Sequence, residues 1–175
     1  MKSREPEEGD IYIVYEERPD ISMKIFERKL EEGCSGLIIS RTHPDTLRRK
    51  WGFEVPHIWL ARGNQNEFIQ AVHPERLMKM HTIISTFISS SDRSKIIMLD
   101  GLEYLISQND FETIMRFIQL INEQVNTTST CMLVPVHPHA LNEQQKGILE
   151  REVKVLSTED MGTGELHDWL NNQHR

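Results

Sequence analysis

Hydrophobic positions along the chain fall into two alternating textures. Short continuous apolar runs occupy 11–15, 36–40, 57–60, 95–99, 130–136 and 153–156, and each reads as a strand. The runs IIML at 96–99 and CMLV at 131–134 show no polar alternation, the pattern of central strands covered on both faces. Between them lie longer segments with helical period. Strand and helix therefore alternate, which predicts an α/β three-layer sandwich around a mostly parallel sheet of five to six strands.

The helices mark their own ends. Asp20 is placed to cap a helix with Met23, Phe26 and Leu30 on one face, and Gly33 supplies its stop. Pro44 suits a first turn entered through Thr42 or His43, with Leu47 and Trp51 on one side and Gly52 at the end. Pro74 opens a third helix, whose Leu77, His81, Ile84 and Ile88 recur at helical spacing until the serines at 89–91. Asn109 and Glu112 have capping-box spacing ahead of a stripe formed by Phe111, Ile114, Met115, Ile118, Ile121 and Val125. Further helices are predicted near 142–152 and 164–172.

Composition narrows the class. With 175 residues, 38% hydrophobic and 27% charged, the chain predicts one domain over 1–175, a core at about 11–156 and a terminal helix within 157–175. Asp and Glu number 27 against 20 Lys and Arg, a formal charge of -7 that argues against nucleic acid as a partner. Cys34 and Cys131 form no CxxC pair, and the N-terminal stretch MKSREPEEGD is charged. A reduced, cytoplasmic setting is expected, with neither signal peptide nor membrane anchor.

Ligands of parallel α/β sheets bind beyond the carboxyl ends of the strands, so candidate chemistry is sought there. The run Lys95 to Asp100 has the form of a Walker B strand ending in a magnesium-binding acid, although Asp100-Gly101 also reads as a simple turn. A phosphate loop belongs between the first strand and its helix. That junction, residues 15–24, has no glycine and no Gly-Lys-Ser/Thr, and Glu16, Glu17 and Asp20 would repel a triphosphate. Arg18 and the free amides of the helix start could still take a small anion. His137-Pro-His139 has no supporting metal-ligand spacing, and Ser40 lacks a nucleophile elbow. Arg41 has two readings: it projects into a ligand crevice, or it pairs with Asp100 or Glu17 across the sheet top. The candidate ligand or partner crevice is thus Glu17, Arg18, Arg41, Thr42, His43, Arg62, Asp100 and His137, with no catalytic residue, metal or cofactor assigned.

The strings GCSGLIISRTHPDTLRRKWGF, HIWL, IIMLDGLEYLISQNDFETIMRFIQLI and LVPVHP resemble the archaeal domain-of-unknown-function family 835, a likeness running from about 11 to 156. Where that family's Pro-Val-x-Pro string is expected to carry an aspartate, this chain has His137. The family is itself similar to KaiC and RecA-type ATPases. The resemblance implies strands 153–156, 11–15, 130–136, 95–99 and 36–40 side by side in that order, and only Asp100 matches an ATPase residue, the Walker B acid, by position. It implies a non-catalytic archaeal signalling or interaction module that binds a protein partner or itself. The alternative is a sensor or enzyme that binds a nucleotide or small anionic ligand in the crevice.

Overall fold

The computed structural model describes residues 5–63 and 70–157. Its elements are β1 (Ile11–Tyr15), α1 (Asp20–Glu31), β2 (Ser35–Ser40), α2 (Pro44–Trp51), β3 (His57–Leu60), β4 (Ala71–Val72), α3 (Leu77–Ile88), β5 (Lys95–Asp100), α4 (Leu102–Gln108), α5 (Phe111–Asn126), β6 (Thr130–Val136), α6 (Glu143–Glu152) and β7 (Lys154–Val155). The helix expected near 164–172 lies outside the described residues.

All seven strands form one parallel sheet in the order β4-β3-β2-β5-β6-β1-β7. Read from β7 to β2, this is the expected order, and β3 and β4 extend it beyond β2 to seven strands rather than five or six. Residue alternation sends the two faces to different helices. Ile13, Ile39, Ile97, Leu99 and Val134 pack with α3, α4, α5 and α6; Tyr12, Val14, Ile38, Met98 and Leu133 pack with Met23 and Phe26 of α1 and Leu47 of α2. Because every central strand is covered on both sides, continuous apolar runs were the correct signature of the sandwich.

Three local expectations are corrected. Asp20 is the first residue of α1 and not its cap, and Pro19 at the cap position makes no side-chain bond. The cap of α5 is Asp110, whose carboxylate accepts from the Thr113 amide at 2.7 Å. Asn109, one residue earlier, instead donates to the carbonyls of Leu105 and Pro74, closing the end of α4. Third, α3 begins at Leu77, with Arg76 rather than Pro74 at its boundary. His43 caps α2 by accepting from the Asp45 amide, as the sequence allowed, and Asn142 with Gln145 forms a complete capping box on α6.

Candidate functional site

The carboxyl ends of β1, β6, β5, β2 and β3 form a row in that order, and the sequence-predicted residues stand along it. Neighbouring strands are about 4.8 Å apart, so the ends of β1, before Arg18, and of β3, before Arg62, are four gaps or about 19 Å apart. The row is better read as two parts.

The first part is the β1–α1 junction. Glu16 turns its carboxylate onto the start of α1, accepting from the Ile21 amide at 2.9 Å, the Ser22 amide at 3.1 Å and the Ser22 hydroxyl at 2.5 Å. The first amides of a helix are unpaired by the helix itself and favour an anion. Here the anion is the chain's own side chain. Burial is the dominant influence on Glu16 and pushes its carboxyl up to about 7, against the three hydrogen bonds that favour the charge, while Asp20 adds to the rise. Glu17 and Arg18 are exposed beside it, and the Arg18 carbonyl accepts from the Asp20 amide.

The second part centres on β2 and β5, where Ser40 and Asp100 are register partners. Ser40 is fully buried, and its hydroxyl accepts from the Thr42 amide at 2.8 Å, folding the chain over at the strand end. This turn carries Arg41 outward. Its guanidinium lies over the Tyr104 ring, 3.8 Å from the centroid, and its carbonyl accepts from the Trp59 indole at 3.0 Å. Of the two readings of Arg41, the bond to Asp100 or Glu17 is absent among the described residues; an exposed arginine needs no carboxylate, and the aromatic face holds it instead. Arg41→Ala is therefore expected to leave the denaturation midpoint nearly unchanged, with a loss of about 1 kcal/mol or less. A loss of several kcal/mol would mean that the side chain is a buried structural pair.

Asp100 is half-buried and makes no side-chain hydrogen bond among the described residues. Burial first, and the neighbouring Glu103 second, raise its carboxyl to about 6. Gly101 follows at φ 144°, a conformation that side chains rarely adopt, and a Cβ there would sit 3.2 Å from Leu60 and 3.5 Å from Arg41. That turn starts α4 and brings Glu103 against the end of β6, where its carboxylate accepts from the His137 amide at 2.7 Å. His137 in turn accepts from the His139 amide through Nδ1, and the two rings tilt 5.7 Å apart. His43 packs edge-on against Trp59 at 4.9 Å. Arg62 donates to Gln108, one turn along α4 from Tyr104, at 2.7 Å and pairs with Glu75 at 3.1 Å.

Thus Arg41, Thr42, Asp100 and His137 are brought to neighbouring strand ends, with Arg62 after β3 beside β2, whereas Arg18 follows β1, beyond β6. Sequence reasoning reached Glu103 among the strand-end positions but left it out of the candidate set, passed over Tyr104, which lies on a helix it did not predict, and treated Glu16 as a repulsive charge and not as the cap. Among the described residues no cluster of His, Cys, Asp and Glu could hold a metal, and no helix is long and apolar enough to cross a membrane.

Comparison with known proteins now places the chain. A family profile described as "Protein of unknown function (DUF835)" matches residues 15–153. The chain belongs to the DUF835 family. A solved protein from Pyrococcus horikoshii OT3, the subject of a structural study, is similar at 16% identity with a TM-score of 0.58, covering 87% of this chain and 84% of its own. At that identity the likeness speaks for the fold of this DUF835 protein alone. No curated protein matches it.

Proposed function

We propose that this DUF835 protein is a non-catalytic, cytoplasmic module on a KaiC- or RecA-like scaffold, serving archaeal signalling or regulation by binding a protein partner or another copy of itself. The observation that carries the reading is Glu16. Its carboxyl group already takes the amides of α1 that a nucleotide phosphate would need, and the junction has none of the glycines of a phosphate loop. What remains on the row for recognition is an exposed Arg stacked on a Tyr, two residue types that concentrate binding energy at protein interfaces. Both cysteines are free, in keeping with a reducing compartment.

Purified protein is expected to show no magnesium-dependent ATP turnover. Turnover that Asp100→Asn abolishes would overturn the proposal. If self-association is the interaction, sedimentation over a range of concentrations should show assembly that Arg41→Ala weakens.

One observation favours a second reading, a small-ligand site at β2 and β5. Asp100 is a partly buried carboxylate without a hydrogen-bond partner among the described residues, with its affinity for protons raised, and such groups concentrate at functional sites. Thermal-shift screening of nucleotides and small anions separates the two readings, since a ligand at 100 times its dissociation constant adds about 2.7 kcal/mol of stability. A shift lost in Asp100→Asn would promote the second reading.

A further inference from the structure

Charge divides the strand-end row at its middle. With β4 included, the strands end in the order β4-β3-β2-β5-β6-β1, and the midpoint falls between β2 and β5. Beyond β4, β3 and β2 the described residues present Arg41, Arg62 and Arg76 against the single acid Glu75, which Arg62 already holds at 3.1 Å. Beyond β5, β6 and β1 they present Asp100, Glu103 and Glu17 against the single base Arg18, since Glu16 is turned into α1. Histidines are shared evenly, His43 and His73 on one side and His137 and His139 on the other. The helix starts add little, because Asp20 is paired with Lys50 and Asp45 with Arg48. One half of the row is basic and the other acidic.

The contrast is sharpest at the midpoint. Ser40 and Asp100 are register partners, so Arg41 follows one strand and Asp100 ends the next, about 4.8 Å away. The stem of Arg41 lies against the turn after Asp100, 3.5 Å from where a Cβ on Gly101 would sit. Yet the two charges do not pair. The guanidinium is spread over the Tyr104 ring at 3.8 Å, which leaves the N–H groups around its edge free to donate. Asp100 has no side-chain hydrogen bond among the described residues, and Glu103 gives one carboxylate oxygen to the His137 amide. Donors and acceptors that fit one another thus stand side by side and unsatisfied.

We propose that two copies of this chain meet face to face through the row, about a two-fold axis that runs along the sheet normal between β2 and β5. That operation reverses the row, setting β2 of one copy opposite β5 of the other, β3 opposite β6 and β4 opposite β1. Each basic half then covers an acidic one, and Arg41 meets the partner's Asp100 and Glu103 twice in the dimer. A two-fold axis along the row would set like charges together. The proposal rests on the interaction reading above and names the partner as a second copy. Five strand gaps make the row about 24 Å long, a small face for a protein contact, so the association is weak and sensitive to salt.

Sedimentation velocity over a wide concentration range at low salt is expected to show a monomer passing to a dimer and no further. Arg41→Glu and Asp100→Lys each set like charges opposite one another, and each should weaken dimerisation by about tenfold or more. An equimolar mixture of the two variants restores opposite charges at both central contacts and should dimerise again. Circular dichroism checks that both variants fold; if Asp100→Lys does not, Asp100→Asn takes its place and should by itself weaken the dimer. A chain that is monomeric at every concentration, a dimer indifferent to these substitutions, or a mixture no more associated than its parts overturns the proposal. So does assembly that keeps growing with concentration, because a two-fold contact closes at two copies. Monomeric behaviour leaves the interaction reading intact with a different protein as partner, whereas ATP turnover lost in Asp100→Asn sinks that reading whatever the sedimentation shows.

Discussion

Between about pH 5 and pH 8 the native chain is expected to lose about 2–3 kcal/mol of stability through Glu16 that Glu16→Gln does not lose. The cause is the rise of its carboxyl from the ordinary 4.5 to about 7 on folding. In that interval the folded protein holds a proton that the unfolded chain has released, so raising the pH favours unfolding. The stabilisation is fully present below the unfolded value and is gone once the pH passes the folded one. Glutamine keeps the shape and an acceptor oxygen for the α1 amides but carries no titrating proton, so its profile should be flatter by that amount. Urea denaturation of both proteins at the two pH values measures it. Parallel profiles would show that the three hydrogen bonds from α1 offset the burial of the Glu16 carboxylate.

The difference between what the sequence disclosed and what it hid follows from where each signal arises. Strands β1, β2, β5 and β6 were legible because burial on both faces demands unbroken apolar runs, and that demand is written locally. Strand β4 is only Ala71 and Val72, held by pairing with Trp59 and Leu60, and two residues have no period to detect. Helix α4 spans seven residues with Leu102 and Leu105 as its buried contacts, too short for an amphipathic stripe and crowded by the stronger cap signal that follows. Missing α4 had a consequence for the site: Tyr104, the actual neighbour of Arg41, is on it, and so neither of the two readings of the arginine, crevice or carboxylate pair, included an aromatic partner. Glu16 was misjudged for a related reason. Its charge could be read, but its reach to residues 21 and 22 depends on how the chain turns at Pro19.

The second large effect concerns a residue that the fold would be more stable without. Asp100→Asn is expected to raise stability at pH 8 by about 3 kcal/mol, and the gain should vanish below about pH 4. Folding lifts the Asp100 carboxyl from 3.8 to about 6, first by burial and then by Glu103, so at pH 8 the native state holds a desolvated charge beside a second acid. No side-chain hydrogen bond offsets that cost among the described residues. Asparagine removes the charge and keeps the volume, and at low pH, where the aspartate is protonated in both states, little separates the two side chains. Because Glu16 and Asp100 sit at the ends of β1 and β5 with β6 between them, their contributions should add, leaving the double variant nearly flat from pH 5 to pH 8 apart from other groups. Stabilising substitutions are common in natural proteins, so the gain measures how far the Asp100 charge is desolvated and does not by itself assign it a role. If Asp100→Asn proves neutral or destabilising at pH 8, Asp100 is a solvated turn residue, and the small-ligand reading loses its support.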